Sequence, residues 1–348
     1  MDIKSMYIDE LGDWLKDKGQ PAFRAKQLYS WMHQKHVGSV DEMTNLPKTL
    51  REEIEKDGFI TVTEETRQVS KNDGTIKFLF RLHDGQMIES VFMKYNYGNS
   101  ICISSQAGCR MGCKFCASTI GGLVRNLTAS EMLDQVYAAM RITGERISNI
   151  VVMGTGEPLD NYDNLIRFIR IISDEQGYNI SQRNITVSSC GIVPRIRELA
   201  DEKLTITFAL SLHAPTDEER KNLMPIAYQY SLAETLDACR EYFEKTGRRI
   251  TFEYSLVKGQ NDTEEQAYKL AALLKGMNCH VNLIPVNPIN ERDFEKSDVD
   301  LIEKFKLILE KKSINGTIRK SVGSDIDAAC GQLRRKYAVN NQEESDEI

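Results

Sequence analysis

The chain has 348 residues, 41% of them hydrophobic, and a formal net charge of −6. That length suits one large α/β domain with a smaller companion. No apolar run reaches the length of a membrane span, and the acidic start MDIKSMYIDELGDW lacks the basic region and apolar core of a signal peptide. A cytoplasmic protein is expected, and in a reducing compartment its eight unevenly spaced Cys read as metal ligands or catalytic thiols, not as a disulfide framework. The net charge argues against a nucleic-acid partner, although basic residues gather locally, at Lys16, Lys18, Arg24, Lys26 and Lys35, at Arg248 and Arg249, and at Arg334, Arg335 and Lys336. On charge alone each group is a solvated face.

Residues 1–59 read as a small helical module. Trp14, Leu15, Phe23, Leu28, Trp31 and Met32 fall near helical spacing, and Gly19–Pro21 and Gly38 punctuate them. Trp14 and Trp31 are expected in its core. Residues 60–94 alternate apolar and polar, with turns at Asn72–Gly74 and Asp84–Gly85, which predicts a short antiparallel β adaptor. Residues 95–335 carry β-rich runs at Ile101–Ser104, Ile150–Met153, Ile185–Ser188, Thr205–Leu212, Ile250–Leu256 and Val281–Val286, with helical stretches between them. Thr128/Glu131, Ser231/Glu234 and Asp262/Glu265 have the spacing of capping boxes at helix starts. Such strand-then-helix units predict a mostly parallel sheet, here an open (β/α)6 partial barrel short of the closed (β/α)8 form. Residues 336–348 are acidic and polar and read as a disordered tail.

In barrels of this kind chemistry sits at the C-terminal ends of the strands. The unusual residues of the chain follow the β runs: Cys109, Cys113 and Cys116 the first, Gly154–Pro158 the second, Ser188–Gly191 the third, Ser211–His213 the fourth and Asn287 the sixth. Lys258–Asn261, after the fifth, has no comparable signature. The triplet GCRMGCKFC is a C-x3-C-x2-C run. Three thiolates hold a metal centre and leave one coordination position free; an iron–sulfur cluster fits, as does a zinc knuckle with a fourth ligand elsewhere. The spacing, with Phe115 before the last Cys, resembles the cluster loop of radical S-adenosylmethionine (SAM) enzymes. In GTGEPL, glycines such as Gly156 let the backbone approach a cofactor, and Glu157 offers an acceptor for an ammonium group. Ser188, Ser211, Leu212, His213 and Asn287 would complete the rim by hydrogen bonds. Cys330, in SDIDAACGQL, reads by composition as a small buried hydrophobe, and Cys102 as a packing residue.

Taken together, IESVFMKY, CISSQAGCRMGCKFCAS, RNLT, MGTGEPLDNYDN, SLHAP, LMPI, HVNLIPVNP and DIDAACGQLR resemble the radical SAM methyltransferases of adenine C2 in 23S rRNA, a family that also acts on tRNA. The resemblance runs from about residue 8 to 335. It implies that Cys109, Cys113 and Cys116 hold a [4Fe–4S] cluster fed by a reductase system, and that two SAM molecules are used per turnover. One methylates Cys330; the other, on the cluster, yields the radical that takes a hydrogen from that methyl group. The methylene radical adds to adenine C2, and Cys102 helps release the crosslink through a transient disulfide with Cys330. Glu89 matches the family's proton acceptor, and either it or Cys102 removes the C2 proton. The helical module would clamp RNA, and a monomer is expected. Two features stand apart. The family commonly reads S-T-S-G or S-S-S-G where this chain has Ser188-Ser189-Cys190-Gly191, and a sister family that methylates adenine C8 typically has Ala in place of Pro158. The alternatives are that C8 enzyme and a non-catalytic, zinc-stabilised RNA-binding protein.

Overall fold

The computed structural model describes residues 2–286 and 294–319, together with 322, 323, 325, 326, 333, 334 and 337. Asn287, Cys330 and the acidic tail beyond Tyr337 lie outside the described residues. The N-terminal helices are α1 (Ile8–Asp17), α2 (Phe23–His33) and α3 (Lys48–Gly58). Each carries a buried pair four residues apart, Leu11/Leu15, Leu28/Met32 and Leu50/Ile54, and that spacing sets both side chains on one face. The three faces meet in a core of their own. Trp14 belongs to this core, whereas Trp31 is only partly buried: its Nε1 donates to Asn45 Oδ1 (2.5 Å) and the Lys35 ammonium lies over its ring.

The module is fastened to α4 (Ala129–Thr143). Lys4 Nζ lies 2.9 Å from Asp134 Oδ1 with both side chains fully buried, and Asp134 Oδ2 accepts from the Val62 N–H (2.7 Å). His33 Nδ1 meets the Tyr137 hydroxyl at 3.1 Å. Arg141 also reaches Asp134 Oδ2 (3.2 Å), so it is removal of the carboxylate that leaves the buried Lys4 cation uncompensated, at a cost of about 3–5 kcal/mol.

Strands β1 (Thr63–Val69), β2 (Ile76–Arg81) and β3 (Met87–Met93) form the expected antiparallel segment, turning through Gly74 and Gly85 with φ of 70° and 82°. β3 then pairs antiparallel with β4 (Asn99–Cys102), so the segment continues one sheet. β5 (Gln106–Gly108) and β6 (Leu123–Asn126) make a separate small hairpin. The sheet resumes with β7 (Ile147–Val152), β8 (Ile185–Ser189), β9 (Thr207–Ser211), β10 (Ile250–Leu256), β11 (Cys279–Pro285) and β12 (Gly316–Ile318). From β4 to β12 all neighbours are parallel and follow chain order, β5 and β6 excepted. The partial barrel is therefore as expected, with a short seventh parallel strand, β12, that three residues give no periodicity to reveal.

Helices α5 (Tyr162–Ile172), α6 (Val193–Asp201), α7 (Asp217–Leu223), α8 (Leu232–Thr246), α9 (Glu264–Leu273) and α10 (Val299–Lys311) alternate with these strands. Phe168, Ile196, Leu236, Leu270 and Phe305 share one core with Ile150, Val187, Phe208, Phe252 and Val281. Thr128/Glu131 and Ser231/Glu234 cap α4 and α8 as their spacing predicts. The third box is displaced by one residue: Thr263 and Gln266 cap α9. The Asp262 carboxylate instead accepts from the Gly259 N–H (2.9 Å) in the preceding turn, which leaves Thr263 to cap the helix.

Candidate active site

A cavity of about 290 Å³ opens at the C-terminal ends of the parallel strands, between their rim and the loop that β5 and β6 carry. The loop's geometry is set by glycines and by a brace. A Cβ on Gly108 (φ 82°) would lie 2.1 Å from the Gly122 carbonyl oxygen, so only glycine fits there. The Cys109 N–H donates to that carbonyl (2.9 Å). On the far side the Lys114 N–H donates to Leu223 O (2.9 Å), and Pro225 packs on Gly112. The segment Leu223–Ile226 thereby holds the loop in place.

Cys109, Cys113 and Cys116 all line the cavity. Burial pushes the Cys109 thiol up to about 12 and the Cys113 thiol higher still, and the neighbouring thiols add to both shifts. A bound metal centre reverses that balance, since it takes thiolates and releases their protons. Among the described residues no three Cys, His, Asp or Glu side chains converge on a point that would hold one ion. The buried Arg220 guanidinium, which lacks an acceptor at Nη1, lies close enough to Cys113 to favour its thiolate. The residues present thus fit an anionic iron–sulfur centre.

Opposite the loop, a Cβ on Gly154 would come within 2.7 Å of the Ile103 backbone, and Gly156 (φ 113°) crowds Ser105 and Gln106 as closely. These glycines let β7 run against the β4–β5 connection as well as lining the cavity. Glu157 is buried, and burial raises its pKa. Its Oε1 accepts from the Leu159 N–H (3.0 Å) and its Oε2 from the Cys190 N–H (2.8 Å). Burial, with the Glu157 charge second, keeps the Cys190 thiol protonated beside this carboxylate.

Ser188 and Ser211 face each other across the cavity wall with hydroxyls 3.4 Å apart. Leu212 does not line the cavity. Its side chain is in the main core, and its N–H donates to Glu253 O (3.0 Å). His213 sits at φ 58°, its ring edge-on to Phe115 with centroids 4.8 Å apart. Its Nδ1 accepts from the Ser255 N–H (2.8 Å). Burial, with the Arg220 charge second, lowers its pKa to about 3, so the ring is neutral and carries its proton on Nε2.

Glu89 and Cys102 lie beside this cavity on β3 and β4. Val91 is the register partner of Cys102, and Glu89, two residues earlier, shares its face. Cys102 packs with Val91, Met93, Met153 and Val322, and Met153 also lines the cavity. Glu89 pairs with the buried Lys77 ammonium (2.9 Å), and its Oε1 accepts from the Arg334 N–H (2.7 Å). The described residues flanking Cys330 therefore reach β3 and β4: Val322 packs near Cys102, and Arg334 bonds Glu89. No disulfide occurs among the described residues.

Sequence reasoning passed over Glu253, Arg319, Arg220 and Lys77. Lys258–Asn261, which follows the fifth strand, does not line the cavity; inside that strand Glu253 and Ser255 do. The Glu253 Oε1 accepts from Asn282 Nδ2 (3.2 Å), and burial raises its pKa against the opposing pull of Arg319. The signal was available: a carboxylate in ITFEYSL, a run whose every residue proves buried.

A barrel of this topology with three thiols on a loop above its rim defines a radical SAM protein, and the Radical SAM superfamily pattern matches residues 103–271. Residues 1–60 match the ribosomal RNA large subunit methyltransferase N-terminal domain. Relatives from Lachnospira eligens and Lachnoclostridium phytofermentans, both named dual-specificity RNA methyltransferase RlmN, are each 61% identical. The alignments cover 99% of this chain and 99% of the first relative, and 97% and 95% for the second. A crystal structure of a radical SAM methyltransferase from Sphaerobacter thermophilus superposes with a TM-score of 0.92 at 45% identity, covering 95% of this chain and 98% of that one. The chain belongs to the RlmN family of radical SAM RNA methyltransferases, enzymes that use a [4Fe–4S] cluster and SAM. Among the described residues no helix is long and apolar enough to cross a membrane.

Proposed function

We propose that this chain methylates C2 of adenine in 23S rRNA and tRNA, with Cys330 as the carrier of the methyl carbon. The observation that carries the reading is the anchoring of both flanks of the Cys330 segment on β3 and β4, through Val322 at Cys102 and Arg334 at Glu89, next to the cavity wall at Met153. Adenine C2 is an electron-poor aromatic carbon and cannot attack SAM as a nucleophile. When bound, the cluster supplies the electron that cleaves SAM reductively.

The chain's own residues do the rest. Cys109, Cys113 and Cys116 hold the centre. Gly156 keeps the wall close to SAM, and Glu157 accepts from its ammonium group. Ser188, Ser211, His213 with its Nε2–H, and Asn287 bind its remaining polar groups, while Leu212 packs behind them in the core. Cys330 presents the methyl group to the radical and then its carbon to the base, splitting one hard transfer into two easier ones. Cys102 releases the crosslink by pairing with Cys330, and Glu89 or Cys102 takes the C2 proton. The base must leave its stack to enter the cavity, and the helical module of residues 1–59 grips the structured RNA around it. Residues 60–94 extend the sheet that carries Glu89, and residues 95–335 form the catalytic core. One chain supplies every residue named, so a monomer suffices. An RNA substrate and a reductase partner place the work in the cytoplasm.

The test is anaerobic incubation with SAM, reductant and rRNA or tRNA, followed by digestion to nucleosides. 2-Methyladenosine is expected. 8-Methyladenosine would transfer the chain to the C8 activity, and zinc in place of iron and sulfide in the purified protein would remove the radical chemistry altogether.

A further inference from the structure

Arg220, on α7, is fully buried behind the cavity wall. Its Nε donates to Leu212 O (3.2 Å), and its Nη2 to Cys190 O (2.7 Å) and Ser211 O (3.4 Å). The guanidinium is thereby clamped to the backbone at the ends of β8 and β9. Its Nη1 has no acceptor, and it forms no ion pair with a carboxylate among the described residues. Asp217 acts on it only at longer range, and the thiols of Cys113, Cys190 and Cys239 and the neutral His213 ring are its other electrostatic neighbours. A guanidinium does not shed its proton in a protein. A buried cation without a counter-charge is costly, and native interiors pair such groups. An anion is therefore missing from this wall, and three thiolates on an iron–sulfur cubane are anionic in both oxidation states.

We infer that Arg220 is the counter-charge of the cluster: a positioning residue whose fixed positive charge stabilises the centre, the reduced form most, and so raises its reduction potential. The inference rests on Cys109, Cys113 and Cys116 being the ligands. Reduction adds one electron from the reductase and one negative charge to the centre, and a cation held nearby in a dry wall favours the more negative form. The three carbonyl contacts fix where that cation sits, while Nη1 is left for the loaded site.

Two variants separate charge from clamp. Arg220→Lys keeps the cation and loses the planar fork; Arg220→Gln keeps a donor and loses the charge. Each is reconstituted anaerobically, assayed for iron and sulfide, and titrated with the reduced cluster followed by electron paramagnetic resonance. Full iron content is expected in both. At a fixed potential the ratio of reduced to oxidised cluster should fall about tenfold in Arg220→Gln, about 59 mV for a one-electron couple, and stay near wild type in Arg220→Lys. An unchanged potential in Arg220→Gln overturns the inference, and so do equal shifts in both variants. If Arg220→Gln does not fold, Arg220→Met, which leaves no unpaired donor, carries the same titration. The gain in melting temperature on cluster loading should also be smaller in either neutral variant than in wild type, and an equal gain counts against the pairing. The ligand assignment fails separately: Cys109→Ala retaining full iron would sink it whatever the Arg220 variants show.

Discussion

Gly154 is a glycine because the Ile103 backbone leaves no room for a methyl group, and Gly156 because its φ of 113° and the Gln106 wall exclude one. Neither reason could be read from GTGEPL, which signals only a tight turn before a helix. The thiols were readable, since their spacing is itself the chemistry. Cys109→Ala should therefore lose both the cluster and RNA methylation, seen as loss of the iron–sulfur absorption and of methyladenosine. Cys330→Ala should keep the cluster and SAM cleavage and lose only RNA methylation, by at least about a hundredfold, as expected for removal of a covalent carrier. Methylation at the wild-type rate by Cys330→Ala would end the carrier role. Glu253 and Arg220 were harder to see. Each is a single charge within a run, and only the tertiary structure shows it buried, Glu253 in the cavity wall and Arg220 behind it.

At the scale of elements, strand positions were legible to within two or three residues because β-branched and aromatic runs are bounded by turns. The cap of α9 was not, because Asp262 and Thr263 are both good caps and the choice depends on a hydrogen bond to Gly259. The displaced cap has a measurable consequence. Thr263→Ala should lower stability by about 1 kcal/mol in denaturant unfolding, while Glu265→Ala, on the exposed face beside Lys269, should leave the midpoint unchanged. The reverse result would restore the box as first read. The cluster loop depends on a more distant element: Leu223–Ile226 braces it from over a hundred residues away in sequence.

At the scale of the whole molecule, the helical module is joined to the barrel by buried ionisable groups. His33 is fully buried against Tyr137, and burial lowers its pKa well below the usual value. Burial, with the Arg141 charge second, lowers His36 to about 4 from 6.5. Both are neutral when folded and take up protons more readily when released. The stability they contribute is complete above about pH 6.5 and is lost as pH falls toward 4. Hydrogen exchange at α2 should accelerate across that window, once corrected for the intrinsic rate, while β10 stays protected. Equal protection of α2 at pH 7 and pH 4.5 would show that the histidines do not hold the interface.

The amino-acid sequence by itself determined the class of fold, the order of its strands and helices, the three thiols and most of the polar rim. Those features are encoded by local periodicity and short spacings, which survive without knowledge of what packs where. Tertiary structure decided which charges are buried: the Lys77–Glu89 pair beside Arg334, the Glu253 carboxylate inside a buried strand, and the Arg220 guanidinium with an open Nη1. The cost of a charge depends on the dielectric around it, and that is set by elements distant in sequence.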